Sequence, residues 1–289
     1  MKNILILGST GSVGYSTLRV LKENHDTFNL LGISFDSNVQ RAKEIINDFS
    51  PEFVHSNNNN SIQDLHSTPS IFPKILSGSA ELEELIANKD IDVIVSAISG
   101  FEGLKTTMLA AKTGRNVLLA NKESIVVAGD LLLPLAKESG TNIIPIDSEH
   151  NAINQCLLSC KDSTDISQIV ITASGGPFLH QPIDKLSNVT KKQALSHPNW
   201  SMGSKISIDS ATLVNKCLEL IEAKYLFNLD ESFFKLVVHP QSIIHSIVTF
   251  VDGSSISQMS NPDMRVPIAN ALSFDRKIPF DFRPLIKSL

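Results

Sequence analysis

The 289-residue chain lacks several features that would assign it to a specialised class. It has no basic block, and its formal charge is −5, which argues against a nucleic-acid partner. No apolar run approaches the roughly 18 residues of a membrane span, so no membrane association is expected. Its three cysteines, Cys156, Cys160 and Cys217, cannot all pair, and a reducing, cytoplasmic setting is the simple inference. Cys156 and Cys160 stand at i, i+4, a spacing open to metal ligation or to small buried residues. There is no internal repeat. "MKNILILGST" has the outline of a signal start, but one lysine and an early glycine loop make it a strand. With 42% hydrophobic and 19% charged residues, the chain reads as globular, with one large or two moderate domains.

The first half alternates strand and helix. "KNILILG", "NLLGISF", "PEFVHS", "IDVIVSAIS", "RNVLLAN" and "TNIIPI" read as strands. "YSTLRVLKENH", "NVQRAKEIINDF", "AELEELIANKD", "EGLKTTMLAAKTG" and "SIVVAGDLLLPLAKESG" read as helices, the last kinked at Pro134. "NNNNSIQDLHSTPS" reads as a surface loop. This alternation predicts a doubly wound parallel sheet over residues 1–149. The second half, 150–274, reads as α+β. Its strands are "ISQIVITAS", "KLVVHP" and "IHSIVTFVDGSSISQMS", with a hairpin turn at Asp252-Gly253, and its helices are "EHNAINQCLLSC" and a long "SATLVNKCLELIEAKYLF". Residues 275–289 read as a linker without a closing element.

"ILGSTGSVG" places Gly8, Gly11 and Gly14 three residues apart, after an apolar strand and before a helix. Such a loop permits close backbone approach to a pyrophosphate at the helix N-terminus, with Ser9, Thr10 and Ser12 as further donors. The ribose selector is expected about 20 residues on, in "SFDSNVQR". Asp36 favours a free 2′-hydroxyl; Ser37, Asn38 and Arg41 can instead hold a 2′-phosphate. These residues alone leave the choice open.

"IDSEH" ends an apolar strand with Asp147 and Glu149 two residues apart. On an extended backbone both point to one side, where like charges repel unless a hard cation lies between them. Equally, Asp147 or Ser148 can cap the following helix, with Glu149 complementing its dipole. In "SATLVNKCLELIEA", Ser210 reads as the N-cap. Asn215, Lys216 and Glu219 fall within one turn, a face able to hold a phosphate and a further metal oxygen or simply a solvated face, as Glu222 suggests. Lys122 in "NKES" adds a cation after another strand. Ser174 precedes two glycines, and "SHPNWSMG" carries His197, Trp200 and Met202. The segment 174–204 therefore reads as a lid, or as a loop pinned by one aromatic. His239 and His245 read as supports for strand packing.

Taken in order, "GSTGSVG", "LANKES", "PIDSEHNAI", "SGGPF", "HPNWSMG", "KISIDSATLVNKCLE", "VHPQS" and "PDMR" resemble the 1-deoxy-D-xylulose 5-phosphate reductoisomerase family. The motifs run from Gly8 to Arg265. The resemblance implies a Rossmann-like N-terminal domain followed by an α+β catalytic domain. It implies an NADPH-dependent enzyme that requires Mg²⁺ or Mn²⁺, with Co²⁺ as a further candidate. The substrate would be a small phosphorylated sugar, and the enzyme a homodimer. By motif position, Asp147, Glu149 and Glu219 are the metal ligands and, with Lys122, the catalytic set. Lys122, Ser148, Glu149, Ser174, His197, Trp200, Met202, Ser210, Asn215, Lys216 and Glu219 are the substrate contacts. Thr10, Gly11, Ser12, Val13, Asn38, Asn121, Glu123 and Gly203 would line the cofactor.

Three positions depart from the family pattern. Asp36-Ser37 stands where members more often have a glycine and a basic residue. Cys217 replaces the glycine expected after "NK". Members also continue into a C-terminal helical domain that this sequence does not show.

Overall fold

The first apolar run becomes β1 (Lys2–Leu7), with Ile4 to Leu7 fully buried, as expected for a central parallel strand covered on both faces. In the computed structural model, residues 1–67, 73–160, 162–200, 202–273, 276–282 and 285 are described. They divide into two compact units, one of residues 1–146 and 268–281, the other of residues 147–267 and 282–289.

In the first unit, α1 (Ser12–Glu23), β2 (Phe28–Phe35), α2 (Val39–Phe49), β3 (Phe53–Ser56) and α3 (Asn59–His66) follow β1. Then come β4 (Lys74–Ser77), α4 (Gly78–Ala87), β5 (Val93–Ser96), α5 (Gly103–Ala110), β6 (Asn116–Leu119), α6 (Lys122–Ser139) and β7 (Asn142–Pro145). Among the described residues the strands form one parallel sheet in the order β4-β3-β2-β1-β5-β6-β7. The order reverses between β1 and β5, the place where open α/β sheets bind ligands beyond their strand ends. Leu5, Leu7, Leu31, Leu85, Ile94 and Val117 share one core cluster of this unit. The glycine loop needs its third glycine for packing. A Cβ on Gly14 would lie 2.5 Å from Ser9 O and 2.6 Å from Ser9 Cα, both backbone atoms.

The second unit contains α7 (Ser148–Leu157), β8 (Ile166–Ala173), α8 (Lys191–Ala194), α9 (Ser204–Ala211), α10 (Val214–Phe227), β9 (Phe234–Val238), β10 (Ile244–Phe250) and β11 (Ser255–Met259). Its sheet runs β11-β10-β8-β9, antiparallel except for the β8–β9 pair. Ile153 and Cys156 of α7 join Ile169, Ile171, Val248 and Ala223 in its core. Cys156 is thus a core residue. Cys160 lies beyond the helix, its thiol donating to Asp162 O at 2.8 Å.

Several expectations are corrected. Residues 59–66 of the asparagine-rich stretch form α3, capped by Asn58 Oδ1, which accepts from Asn60 N and Ser61 N; Thr68 to Ser70 lie outside the described residues. β4 was not expected at all. α6 breaks at Ala128 (φ −137°), six residues before Pro134. The long helix expected from Ser210 is two helices. Ser210 lies in α9, and Leu213, at φ 61°, separates α9 from α10. A further helix, α11 (Arg265–Ser273), carries the chain from the second unit back to the first. Contacts divide the chain at 267, where a boundary at 274 was expected. The segment expected to be a bare linker is held to the first unit, with Asn24 Nδ2 donating to Pro279 O at 2.9 Å; residues 274–275, 283–284 and 286–289 lie outside the described residues. No described helix is long and apolar enough to cross a membrane.

The packing of the glycine loop gives a test. Gly14→Ala should cost about 1–3 kcal/mol, the range for forcing atoms into packed space. Gly11→Ala, whose Cβ would meet only Gly8 O at 3.3 Å, should cost much less. Urea denaturation of both variants checks this; equal midpoints would refute the packing argument.

Candidate functional site

The strand β7 ends at Pro145, and the chain turns into α7 with Asp147 as its N-cap. Asp147 Oδ1 accepts from Glu149 N at 3.2 Å, so the cap is real. Asp147 and Glu149 therefore converge through a helix start and not through strand alternation, which corrects the expected geometry. Glu219 comes from α10. One carboxylate oxygen from each of Asp147, Glu149 and Glu219 lies within 4.8 Å of the others. Three hard oxygen donors this close suit a divalent ion such as Mg²⁺ or Mn²⁺.

Two cations are built in beside these carboxylates. Lys216 Nζ lies 2.7 Å from Glu149 Oε1, 2.5 Å from Glu219 Oε2 and 2.7 Å from Thr172 O. Burial works against its charge, but the Glu149 and then the Glu219 carboxylate outweigh it, and the pKa is pushed up to about 12. His150 is fully buried. Its Nε2 donates to Glu219 O at 2.9 Å, and its Nδ1 lies 3.2 Å from both Asp147 Oδ1 and Glu222 Oε2. Burial opposes its charge, yet Glu222 and Asp147 push its pKa up to about 9, which favours the protonated ring. The residues present therefore fit a cation-binding site, already organised around positive charge.

Around this cluster, Ser148 Oγ donates to Glu149 Oε2 at 2.6 Å, and Asn215 Nδ2 donates to Glu219 Oε1. A second polar group gathers at the end of β8. His197 Nδ1 accepts from Asn199 N (3.2 Å) and Trp200 N (3.0 Å). Burial lowers the pKa of the ring, so it is neutral, and its proton must sit on Nε2. Nε2 then donates to Ser174 Oγ at 2.9 Å, and Gly176 N donates to the same oxygen at 3.2 Å. With both acceptor positions filled, Ser174 has its own proton left to offer. Gly176 (φ 68°) permits this turn to close on α9, since a Cβ there would lie 2.8 Å from Ser210 O. Trp200 is half-buried and meets His245 edge-on at 6.0 Å, while Asn199 Nδ2 ties the segment to Pro240 O and to Ser242 Oγ. Met202 is half-buried; Ser201 lies outside the described residues.

In the first unit, a cleft of about 760 Å³ opens at the strand ends, within the usual range of about 300–1,000 Å³ for small-molecule sites. Gly8, Thr10 and Gly11 line one part of it and Asp36 another. Ser12 and Val13 start α1. Ser9, expected as a donor to ligand, instead gives its hydroxyl to Ser34 O at 3.1 Å. Asn38 caps α2 through Arg41 N. Asn121 is buried, caps α6 through Ser124 N (2.7 Å), and donates to Ile98 O and Gly100 O. Lys122 and Glu123 form the first turn of α6, and Lys122 is buried. Gly203 is in the second unit, at the start of α9.

Two residues escaped the sequence reading. Glu222 is 1% exposed and pairs with His150, where a solvated helical face was expected. His150 itself carried no expectation. Its i, i+3 spacing from Asp147 was the available signal. His239 accepts from Ile243 N and His245 bonds Ser260 Oγ; both support the local fold.

Comparisons bear on both units. The family model described as 1-deoxy-D-xylulose 5-phosphate reductoisomerase matches residues 4–129, and that of its C-terminal domain matches 143–227. The chain is 45% identical over 278 residues to the 1-deoxy-D-xylulose 5-phosphate reductoisomerase of Ruthia magnifica, covering 96% of this chain and 72% of the relative. It superposes with a TM-score of 0.94 at 41% identity on a DOX-P reductoisomerase crystallised with NADPH, fosmidomycin and magnesium, covering 99% of this chain and 73% of that one. The Zymomonas mobilis enzyme in complex with NADPH gives 0.89 at 37% identity, covering 99% and 74%. The chain thus spans about three quarters of the length of these relatives. With identity of this order across both the glycine loop and the carboxylate cluster, the chain belongs to the 1-deoxy-D-xylulose 5-phosphate reductoisomerase family.

Proposed function

We propose that Asp147, Glu149 and Glu219 hold the divalent cation of this reductoisomerase, and that Ser174, His197, Ser210, Asn215 and Lys216 take the substrate's phosphate. The reaction converts 1-deoxy-D-xylulose 5-phosphate to 2-C-methyl-D-erythritol 4-phosphate by skeletal rearrangement and NADPH reduction, in non-mevalonate isoprenoid biosynthesis. The convergence of three carboxylate oxygens within 4.8 Å carries the reading. When bound, the cation supplies Lewis-acid polarisation of substrate oxygens. NADPH supplies the hydride.

The chain's own residues do the rest. Ser174, held by His197 and Gly176, has one hydroxyl proton to direct at a phosphate oxygen. Lys216 is kept charged by its carboxylate neighbours, so it adds an ammonium to the same group. Binding a phosphate remote from the reacting carbons aligns them. Ser148 and Lys122 are assigned to the reacting end of the substrate, where Lys122 stabilises negative oxygen. Thr10 to Val13, Asn38, Asn121, Glu123 and Gly203 are assigned to the cofactor. For Asn38 and Asn121 that role is to fix the backbone, since their side chains are engaged in caps. The segment 174–204, with Trp200 and Met202, is assigned as a lid that excludes water. A cytoplasmic location accords with three free thiols, and cell fractionation checks it.

A homodimer is part of this reading. Leu236, Val237 and Val238 of edge strand β9 are about half exposed, and successive residues face opposite sides, so both faces of the strand are open.

Three outcomes are expected. Glu149→Gln should lower kcat by at least about 100-fold, the several kcal/mol of charge stabilisation that a metal supplies. It should also weaken Mn²⁺ binding measured by calorimetry, and robust turnover would sink the metal assignment. Trp200 is the chain's one tryptophan, so its emission should change on adding substrate; an unchanged spectrum counts against the lid. Light scattering should give a dimer mass that Val237→Lys lowers toward the monomer. A mass insensitive to that change removes β9 from the interface.

A further inference from the structure

The cleft of the first unit is built to take a dinucleotide, and its lining bears on which one. Asp36 follows Phe35, the last residue of β2, and lines the cleft with Gly8, Thr10 and Gly11. Its position, about 20 residues past the glycine loop, is where a carboxylate accepts from a free ribose 2′-hydroxyl. Its backbone is fixed, because Asp36 O accepts from Ser56 Oγ (3.1 Å) and Ser61 Oγ (2.7 Å). Its side chain is exposed at the lip.

The cations that a 2′-phosphate would need are engaged elsewhere. Lys105, the one lysine or arginine among the described lining residues, is paired with Glu83 at 2.9 Å, and Glu102 lines the cleft beside it. The His55 ring is tied to Gly78 O at 3.0 Å, and burial lowers its pKa, which keeps it neutral. Arg41 lies with its guanidinium 4.0 Å over the Tyr15 ring. Residue 37, next to Asp36, is a serine. A 2′-phosphate would bring two negative charges to a carboxylate, whereas a 2′-hydroxyl would donate to it.

We propose that Asp36 makes this chain accept NADH alongside NADPH, with the 2′-phosphate giving little advantage. The inference rests on the dinucleotide reading of the cleft and deepens it by assigning the residue that sets cofactor discrimination. The hydride donor is chemically the same in both nucleotides, so the reaction itself is unchanged.

Binding and turnover test it separately. NADPH and NADH are titrated by nucleotide fluorescence, and 2′-phospho-ADP-ribose and ADP-ribose by calorimetry, on the full chain. The dissociation constants within each pair should agree within about tenfold, or about 1.4 kcal/mol. Asp36→Gly and Asp36→Asn should each shift the ratio toward the phosphorylated nucleotide, and Ser37→Lys should shift it further. The corresponding kcat/KM ratios should move the same way, mainly through KM. NADPH binding more than about 100-fold tighter than NADH in the wild-type chain would overturn the proposal, as would a ratio that Asp36 variants leave unmoved. Failure to bind either nucleotide would instead defeat the cleft assignment beneath it.

Discussion

The second unit depends on one buried charge, the imidazolium of His150. Its Nδ1 lies against Asp147 of the α7 cap and Glu222 of α10, and its Nε2 holds the backbone carbonyl of Glu219. Without that ring, α7 and α10 would each bring carboxylates toward the other with no intervening cation on this side. Removing one partner of a buried pair typically costs about 3–5 kcal/mol, because the remaining charge is stranded away from water. The same contact fixes the separation of the two helices, and so places Glu219 against Asp147 and Glu149. This contact therefore bears on both the pairing of α7 with α10 and the candidate metal site.

Lys216 completes the arrangement from the opposite side. It lies three residues before Glu219 on α10 and reaches both Glu149 and Thr172 O, thereby linking α10 to α7 and to the end of β8. An ammonium here stabilises the gathered carboxylates. Cys217, one residue on, is exposed. A step of one residue turns about 100° around the helix, so the thiol in place of a glycine leaves the Lys216–Glu219 face alone.

Much of this was legible in the sequence, and the exceptions have physical causes. The parallel sheet could be read because its strands are continuous apolar runs. β4 could not, since four residues with only Leu76 buried carry no periodic signal. α3 was obscured by its own cap: asparagine is a loop former in composition but an N-cap by geometry, and Asn58 acts as the latter. The break before α10 falls on Leu213, a residue rarely found at positive φ, so no glycine announced it. The three carboxylates that converge were named from residue types and the family pattern. The imidazolium that supports them was not, because a histidine's charge depends on neighbours from another helix. Glu222 was misread for the same reason: periodicity shows which residues share a face, but not what that face meets.

The two units also differ in how they can change. In the first, the backbone around the cleft is fixed by asparagines capping α2 and α6 and by Gly14, which allows the loop to pack on Ser9. The side chains of Asp36 and Ser37, just past the end of β2, are exposed and lie outside that framework. In the second, Asp147 is at once helix cap, partner of His150 and member of the carboxylate cluster. A substitution there alters three interactions together. Asp36, Ser37 and Cys217, where the sequence departs from the pattern the resemblance implies, all have exposed side chains, whereas the carboxylate cluster is tied into several contacts at once.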